Sequence, residues 1–402
     1  MRLAFLVQRA NFYRLYAPIV DEAMRRGWDV ECWHDYSQAR HGQKGYNFPA
    51  LESAPRFVHG TPGFRTYQGS SELRVFLQQG RTDTVVSLNP RSAELGDATP
   101  TSVTWVMLQH ALSNFVAYGH GGFLGSDGVA LYSEHWADLA LEYFRERRLL
   151  PPGDETEQEI RNKAWAVGFP EMEAARLIDP TEVRRRLGIA ADHPVVVLLP
   201  YGYGFGLSSF RATHTGQQRS RWQVAASLVR QVWLDVRVVN AVRAFCRRNG
   251  AHLIVKSRMK RRPPVYTRAI ADTHLYDESV YPATILETLR IASLCIGFYS
   301  TTVHEAAYLG VPYLSIRPSD GDVRGDRALQ RVFLDRSKGS FDFPGVATVL
   351  EHEEAIDGLP EKRLDQFVMD RQARAAYVEK FLCSDDGHSS ARVLDEIRRM
   401  KR

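Results

Sequence analysis

The sequence predicts an α/β protein made of two doubly wound domains, each with a parallel sheet. Short apolar runs alternate with amphipathic stretches of helical period along most of the 402 residues, as in sheets with helices on both faces. The apolar runs are continuous rather than alternating, which is typical of strands buried on both faces. The whole pattern occurs twice, and a chain of this length is longer than one ordinary domain.

The first set of elements occupies the N-terminal part of the chain. Strands are predicted at 2–7, 28–33, 84–88, 103–108, 129–132 and 164–167. Amphipathic stretches at 13–26 and 134–148 are predicted as helices. Gly27 marks the end of the first helix, because glycine readily adopts the left-handed conformation that follows a helix C-terminus.

The second set fills most of the remaining chain. Strands are predicted at 195–199, 252–255, 294–298 and 312–316. Helices are predicted at 221–249, 284–292, 302–309 and 326–334. In open parallel sheets, ligands bind beyond the carboxyl ends of the strands. The residues that directly follow each strand are therefore the first candidates for a site.

The join between the two sets is predicted near 170–192, a charged stretch interrupted by glycines and prolines. We therefore expect an N-terminal Rossmann-like domain over 1–170 and a C-terminal Rossmann-like domain over 171–360. The remainder, 361–402, is predicted as two helices that pack back on the body, without a further strand.

The last helix has a cap signal, an apolar face and a basic end. Ser389 or Ser390 is expected to cap its start. Four apolar residues share one face, which should pack on the body: Val393, Leu394, Ile397 and Met400. Four basic residues would then point outward, toward anionic lipid headgroups of the inner leaflet: Arg398, Arg399, Lys401 and Arg402.

Composition places the chain among ordinary globular proteins. It is 44% hydrophobic and 25% charged, which excludes disordered, collagen-like and repeat-dominated classes. The net charge of +5 suits an anionic small molecule or a membrane surface and gives only weak support for nucleic-acid binding. No uncharged apolar run reaches the roughly 18 residues that a membrane span needs.

The start of the chain and the cysteines predict a cytoplasmic location, with a peripheral inner-membrane contact as a further expectation. Gln8, Arg9 and Asn11 interrupt the first apolar run too early for a signal peptide. The four cysteines are far apart, and none forms a CxxC pair. This pattern favours buried thiols over disulfides or a zinc site.

The most informative stretch runs over 294–316. A buried strand is followed by Ser300, Thr301 and Thr302, and then by a short helix that Gly310 ends. Hydroxyls at a helix N-terminus, with free amides and the helix dipole, form an anion site. Glu305, one turn into the helix, can bind the two hydroxyls of a ribose. The alternative is structural, because Thr302-x-x-Glu305 is also a capping box that needs no ligand.

This segment resembles the donor-nucleotide motif of glycosyltransferases of the GT-B fold. It is most similar to the branch that holds the CDP-glycerol glycerophosphotransferases of teichoic acid synthesis and the capsule-type polysaccharide transferases. Tyr299 to Thr302 and Glu305 match the Tyr-Ser-Ser/Thr turn and the acidic residue of that branch. The resemblance implies that the turn holds the donor phosphates and that Glu305 holds the ribose, with Tyr299 and His304 as secondary candidates.

A second resemblance lies in the N-terminal half, where Gln109-His110 ends a buried strand. Surface-polysaccharide transferases of this branch, including Kdo transferases, often have Gln-His-Gly here, whereas this chain has Ala111. The resemblance implies catalytic roles for Gln109 and His110. At the carboxyl end of a strand, His110 would face the interdomain cleft and act as an acid or base. The alternative is a core histidine bonded to backbone.

One further segment extends the resemblance. Gly168-Phe169-Pro170, followed by Glu171 and Glu173, resembles the Gly-x-Pro-x-x-Asp join between the domains of the family, with Glu173 in place of the aspartate. The three motifs occur in the family's order over about 100–335.

A cluster of five cations over 256–262 follows the predicted strand 252–255. A transferase without a metal must stabilise its leaving phosphate with protein cations, so Lys256 and Arg258 are candidates there. Many relatives have Lys-x-His-Pro at this place, and its absence argues against a CMP-Kdo donor. The alternative for the cluster is an exposed basic loop.

Two weaker signals remain. The glycine-rich segment 201–206 is not a GxGxxG motif and lacks the acidic residue of a dinucleotide site, so we expect an open loop. The acidic segment 320–326 does not have the spacing of a calcium loop. Its Arg324-Gly325 pair resembles one in the glycerophosphotransferases, which makes Arg324 a secondary candidate. No metal site and no cofactor are predicted.

The sequence therefore predicts a metal-independent glycosyltransferase that uses a nucleotide-activated sugar or a CDP-glycerol-type donor. Its acceptor would be a surface polysaccharide or a glycolipid bound by the N-terminal half. One alternative is a non-hydrolysing sugar-nucleotide 2-epimerase, which shares the fold. The other is a non-catalytic scaffold of the polysaccharide assembly machinery.

Overall fold

A computed structural model describes most of the chain. The described residues are 1–37, 50–80, 82–96, 102–110, 112–150, 154–200, 236–257, 265–276, 279–298, 300–317, 328, 330–334 and 339–402. The chain divides into two compact units. Unit 1 comprises Met1–Leu177, Ser279–Ala283 and Val378–Arg402. Unit 2 comprises Ile178–Glu278 and Thr284–Tyr377.

Unit 1 contains a parallel sheet of seven described strands. These are β1 Arg2–Val7, β2 Asp29–Asp35, β3 Gly63–Tyr67, β4 Thr84–Ser87, β5 Thr104–Leu108, β6 Gly128–Leu131 and β7 Ala164–Ala166. Their order is β3-β2-β1-β4-β5-β6-β7, and every pairing is parallel. The direction in which successive strands are added reverses between β1 and β4. The switch point of this doubly wound sheet therefore lies between the carboxyl ends of these two strands.

Unit 2 repeats this plan with six described strands. These are β8 Val195–Leu198, β9 His252–Lys256, β10 Thr273–Leu275, β11 Leu294–Gly297, β12 Tyr313–Arg317 and β13 Ala347–Glu351. The order is β10-β9-β8-β11-β12-β13, and again every pairing is parallel. The switch point of unit 2 therefore lies between β8 and β11.

The helices alternate with the strands in both units. In chain order they are α1 Tyr13–Arg25, α2 Gly69–Gln78, α3 Arg91–Leu95, α4 Ser113–Tyr118, α5 Gly121–Leu124, α6 His135–Glu146, α7 Asp154–Lys163, α8 Pro180–Leu187, α9 236–248, α10 Val265–Ala269, α11 Thr284–Arg290, α12 Thr302–Leu309, α13 His352–Gly358, α14 Arg371–Leu382 and α15 Ser389–Met400. Short 3-10 or π turns occur at Ala10–Phe12, Leu51–Ser53, Pro170–Leu177, Gln330–Leu334, Leu359–Glu361 and Leu364–Gln366.

The α/β class and the doubly wound sheets are confirmed, and all ten predicted strands form within about two residues of their predicted positions. The sequence missed three strands, β3, β10 and β13, and each of them lies at an edge of its sheet. Edge strands are covered on fewer sides, so most of their residues are half-buried rather than apolar and buried. Continuous apolar runs mark strands that are buried on both faces and do not mark these three. The remaining edge strand, β7, is also half-buried, and it was predicted because its own residues are apolar.

The core of unit 1 includes the end of the chain. Val393, Leu394 and Ile397 of α15 are fully buried in the cluster that contains Leu3 and Phe5 of β1. Met400, which we expected on the same face, is 41% exposed, because it lies in the final turn, beyond the last buried position of the helix.

The cysteines are free thiols, as predicted, and three of them are buried: Cys32, Cys246 and Cys295. Burial raises the pKa of both the Cys32 and the Cys246 thiols to about 12, so both stay protonated and unreactive at neutral pH. Among the described helices, none combines the length and apolar character needed to cross a bilayer.

The Gly-x-Pro segment holds α15 in place. Gly168 has φ +93°, and a Cβ there would lie 2.3 Å from Oγ of Ser389. The backbone N–H of Ser390 donates to the Glu173 carboxylate at 2.8 Å. Glu173 therefore caps the start of α15 from a distant part of the chain. The cap that we expected from Ser389 or Ser390 is absent from the described hydrogen bonds of this helix start.

Replacing Gly168 with alanine is expected to destabilise the protein by about 2 to 4 kcal/mol. The new Cβ would occupy a left-handed backbone position and crowd Ser389, and each of these two effects costs about 1 to 2 kcal/mol. Urea unfolding would measure the change. Gly27→Ala is the control, because Gly27 also has positive φ but has open space around its missing Cβ. An equal loss in both variants would show that only backbone strain matters at Gly168.

Candidate functional site

The hydroxyl-bearing turn of unit 2 follows β11, at the switch point. Gly297 ends β11, and a Cβ there would lie 2.2 Å from the hydroxyl of Tyr313 on β12. Only glycine fits beneath the turn at this point. Beyond it, the Ser300 hydroxyl donates to Oγ1 of Thr302 at 3.1 Å, and the Thr302 N–H donates to Oγ of Ser300 at 3.3 Å.

The start of α12 differs from a capping box. Thr301 is the N-cap, Thr302 is the first helical residue, and within the described residues Thr301 makes no side-chain cap bond. The N–H groups of Val303 and His304 donate to the carbonyls of Ser300 and Thr301. Three N–H groups of the first turn are thus bonded locally, and the turn presents the half-buried Ser300 and Thr301 with the positive end of a helix dipole.

Glu305 is buried on the inner side of α12, only 6% exposed. After burial itself, its negative charge is a cause of the raised pKa of the Cys295 thiol on β11. Burial, Cys295 and then Glu305 also raise the pKa of the Tyr313 phenol. The Glu305 side chain therefore lies near β11 and β12, directly below the turn.

His304 has a structural environment. It is buried, and its Nδ1 lies 2.7 Å from the Tyr377 hydroxyl of α14. That hydroxyl donates to the Ser340 carbonyl at 2.8 Å, so Nδ1 carries the proton shared with Tyr377. Burial lowers the pKa of His304 to about 3, and the ring is neutral across the physiological range.

The C-terminal end of α12 is also held by α14, a contact that the sequence analysis missed. The Arg374 guanidinium donates to the carbonyls of Ala307 and Tyr308 at 2.7 and 2.6 Å. A cation at the last carbonyls of a helix satisfies them and complements the dipole. Arg374 and Tyr377 lie one turn apart on α14, so this helix fixes both ends of the element that carries Glu305.

We expect the His304→Gln variant to be less stable than wild type at neutral and high pH, and this difference in stability to narrow as the pH falls. In wild type, the unfolded chain takes up a proton on His304 below its ordinary pKa of 6.5, whereas the folded chain does so only near 3. Wild type therefore loses stability as pH falls through this window, and glutamine does not titrate. Urea unfolding at several pH values should show the difference between the two proteins narrowing as pH falls. A constant difference would contradict the buried neutral state.

Lys256 lies at the same edge of the sheet as the turn. It ends β9, is buried, and donates from Nζ to the Ser257 carbonyl at 2.8 Å. Since β8 separates β9 from β11, strand spacing places the ends of β9 and β11 about 10 Å apart. Three predicted residues, Arg258, Tyr299 and Arg324, lie outside the described residues, as do the segments 201–206 and 320–326.

Gln109 and His110 follow β5 of unit 1. Gln109 is buried, and its Oε1 accepts the backbone N–H of Tyr132 at 2.8 Å. Its own N–H donates to the Ala130 carbonyl at 2.9 Å. Gln109 thus ties the end of β5 to the end of β6. His110 is half-buried, with its ring centroid 6.1 Å from that of Phe12, and it lies at the carboxyl edge, as predicted.

Metal ligands do not converge in the part of the chain that the structure describes. There, no group of three or more His, Cys, Asp or Glu side chains is arranged to hold a metal ion. The polar groups that the structure describes at this site are the hydroxyls of Ser300 to Thr302, the dipole of α12, the buried Glu305 carboxyl and the buried Lys256 ammonium.

The two doubly wound units, with 99% of the chain aligned, have the GT-B fold. Among solved structures, the wall teichoic acid polymerase TagF is similar with a TM-score of 0.58 and 11% identity, and 88% of its chain is covered. The UDP-GlcNAc 2-epimerase from Neisseria meningitidis bound to UDP-GlcNAc has a TM-score of 0.53 and 10% identity over 99% of this chain and 100% of that one.

A third similar structure is that of S. aureus MnaA with UDP, at a TM-score of 0.53 and 11% identity over 99% of this chain and 96% of that one. No family model matches the sequence, and no curated protein matches it. The similarity to the solved structures therefore defines the fold alone.

Proposed function

We propose that the protein is a glycosyltransferase. It would move a sugar, or a glycerol phosphate group, from a nucleotide-activated donor to a surface polysaccharide or glycolipid acceptor, without a metal. The observation that carries this proposal is the hydroxyl turn Ser300 to Thr302 at the start of α12, at the switch point of unit 2. Nucleotides bind at this place in doubly wound sheets.

The proposed roles follow from the chemistry of the side chains. Hydroxyls of the turn and the dipole of α12 would bind the donor phosphates, and the ammonium of Lys256 would offset the charge that develops on the leaving group. Glu305 would bind the ribose. In the transfer step, an acceptor hydroxyl attacks, the bond to the leaving phosphate breaks, and His110 accepts the hydroxyl proton.

The nucleotide part of the proposal is tested by calorimetric titration with CMP, CDP, UDP and GDP. We expect at least one to bind, and the double variant Ser300→Ala/Thr302→Val to weaken it. Thr181→Val is the matched control, because Thr181 is an exposed threonine at the start of another helix of unit 2. Unchanged binding in the double variant would contradict the placement of the phosphates, and no binding by wild type would favour the scaffold.

A 2-epimerase is the second candidate. This candidate is supported by the coverage of the two similar structures. The alignment covers 100% of the Neisseria meningitidis epimerase chain but only 88% of the TagF chain. Incubation of a nucleotide sugar without any acceptor distinguishes the two activities. An epimerase would convert the sugar, whereas a transferase would leave it unchanged.

The proposed assignment to the teichoic acid and capsule branch includes contact with anionic inner-leaflet lipids through the end of α15. There the four basic residues are exposed. Arg398 also lies over the Trp28 ring at 5.6 Å, and Arg399 pairs with Glu396 at 3.1 Å. Lys401 and Arg402 would therefore contribute most to lipid binding.

We expect the protein to sediment with anionic liposomes and to lose this binding when Arg398, Arg399, Lys401 and Arg402 are neutralised. Each basic residue near such a surface contributes about 1 kcal/mol. The control is a variant with four exposed arginines neutralised elsewhere: Arg145, Arg147, Arg185 and Arg186. Equal losses in the two variants would indicate a dependence on net charge alone.

A further inference from the structure

His274 and Ser257 form a polar contact between neighbouring strands at the carboxyl edge of the unit 2 sheet. His274 belongs to β10, and Ser257 directly follows β9. Oγ of Ser257 and Nε2 of His274 share a hydrogen bond of 3.0 Å. Neither residue was a predicted site residue, and neither has a role in the transfer step proposed above.

Ser257 is buried and is anchored to β10 by two bonds. Its backbone N–H donates to the Leu275 carbonyl at 2.9 Å, and its hydroxyl is bonded to His274. Two bonds to the same strand leave Ser257 little freedom to rotate, so the direction of its carbonyl is also fixed.

That carbonyl accepts a hydrogen bond from the Lys256 ammonium. Nζ of Lys256 donates to it at 2.8 Å, and Lys256 is buried. A lysine has a flexible four-carbon stem, so the place of its ammonium depends on the group to which it bonds. The contacts therefore run from His274 through Ser257 to the ammonium that is proposed to offset the charge on the leaving phosphate.

Two positive charges of the described chain act on His274, whose ring is half-buried. Burial, then Arg268 of α10 and then Lys256 of β9, lower the pKa of His274, so the ring is mostly neutral at neutral pH. A phosphate bound at Lys256 would oppose these charges and raise the pKa of His274 again. Proton uptake by His274 and phosphate binding would then be linked, and each would favour the other.

A purely structural role for His274 is the alternative, and the same two strands contain a matched bond for comparison. Nε2 of His252 shares a hydrogen bond of 2.8 Å with Oγ1 of Thr273. His252 begins β9 and Thr273 begins β10, so this bond joins the strands at the amino edge, away from Lys256. Burial lowers the pKa of His252 as well. A comparison of the two histidines therefore separates an effect on Lys256 from an effect on the sheet.

We propose that His274 is a positioning residue of the donor site, which acts through Ser257 to hold the Lys256 ammonium in place for the leaving phosphate. Its own positive charge, when the ring is protonated, strengthens the binding of that phosphate. The binding of a donor phosphate at this place rests on the proposed transferase function. The coupling of the three side chains does not.

Titration of the full chain with CDP and UDP, at about pH 7.5 and about pH 5.5, tests the proposal on either side of the ordinary histidine pKa. At the higher pH, His274→Ala should weaken nucleotide binding about fivefold, as for one lost hydrogen bond. Ser257→Ala should give the same loss, and the double variant should lose no more, because all three remove one bond. His252→Ala is the control and should bind as wild type does.

The His274→Gln variant separates the hydrogen bond from the charge. Its amide can bond the Ser257 hydroxyl, so the affinity at the higher pH should be close to that of wild type. Glutamine does not titrate, so the affinity of wild type relative to His274→Gln should rise as the pH falls. This ratio cancels the titration of the nucleotide phosphate itself. A ratio that stays constant with pH, or equal affinities of His274→Ala and His252→Ala, would overturn the proposal.

An NMR titration of the His274 ring keeps this proposal apart from the proposed function, because it needs no nucleotide. Lys256→Met removes a positive charge and should raise the pKa of His274. Lys362→Met, at another lysine of unit 2, is the control and should leave that pKa unchanged. If wild type binds neither nucleotide, the transferase function fails, and a raised pKa in Lys256→Met still supports the coupling of the three side chains. An unchanged pKa overturns that coupling even if nucleotides bind.

Discussion

Replacing His110 with alanine is expected to lower turnover by about a hundredfold or more, the usual contribution of a positioned acid or base. His110 follows β5 at the carboxyl edge of unit 1 and is half-buried beside Phe12. A residue at this edge supports little packing, so the variant should fold. Nucleotide affinity should change less than turnover, because the proposed nucleotide site is in unit 2.

Steady-state rates, nucleotide titration and thermal unfolding of the same variant together decide the role of His110. His193→Ala is the control, since His193 is an exposed histidine before β8, at the opposite end of a strand. A fully active variant, or one that fails to fold, would make His110 a core histidine. It would also remove the main reason for assigning catalysis to unit 1.

The second large effect is expected for Glu305→Ala, which should weaken nucleotide binding about ten- to a hundredfold. A carboxylate that binds ribose hydroxyls makes charge-assisted hydrogen bonds worth about 1.5 to 3 kcal/mol. Loss of a helix cap alone would change stability by about 1 kcal/mol and leave affinity unaltered. Thr301 is the N-cap of α12, so His304 and not Glu305 occupies the third helical position that a capping box uses.

Calorimetry and thermal unfolding separate these two roles of Glu305. Glu353→Ala is the matched control, because Glu353 also lies in the first turn of a helix of unit 2 but is exposed. A lower melting temperature with unchanged affinity would show that the buried carboxyl supports α12 without touching the ribose.

Local patterns predicted much of the framework and of the unit 2 site. The turn Ser300 to Thr302 lies at the carboxyl end of a buried strand and begins a helix, as its sequence context indicated. Gly310 ends that helix in the left-handed conformation. Strand ends, caps and turns depend on neighbouring residues, so one stretch of sequence contains the information.

The roles of buried side chains depended on partners far along the chain. His304, next to the predicted ribose ligand, bonds Tyr377, 73 positions away, and burial rather than catalysis explains its low pKa. Glu173, which resembled part of a domain join, caps α15 through Ser390, 217 positions away. No local pattern contains such pairings.

Local sequence patterns are sufficient to predict the two doubly wound sheets and the positions of their strand ends. Continuous apolar runs indicate strands that are buried on both faces, and helix-ending glycines indicate where the chain turns. Both signals are local properties of the sequence. Contacts between distant parts of the chain were needed to show which strands form the edges, why residue 168 is a glycine, and that Gln8 and Asn89 meet at Glu94. Gln8 and Glu94 are 86 positions apart. They meet because Gln8 follows β1 and Glu94 lies on the helix that follows β4, and these two strands are neighbours in the sheet. Neighbours in a parallel sheet are set by strand order rather than by distance along the chain.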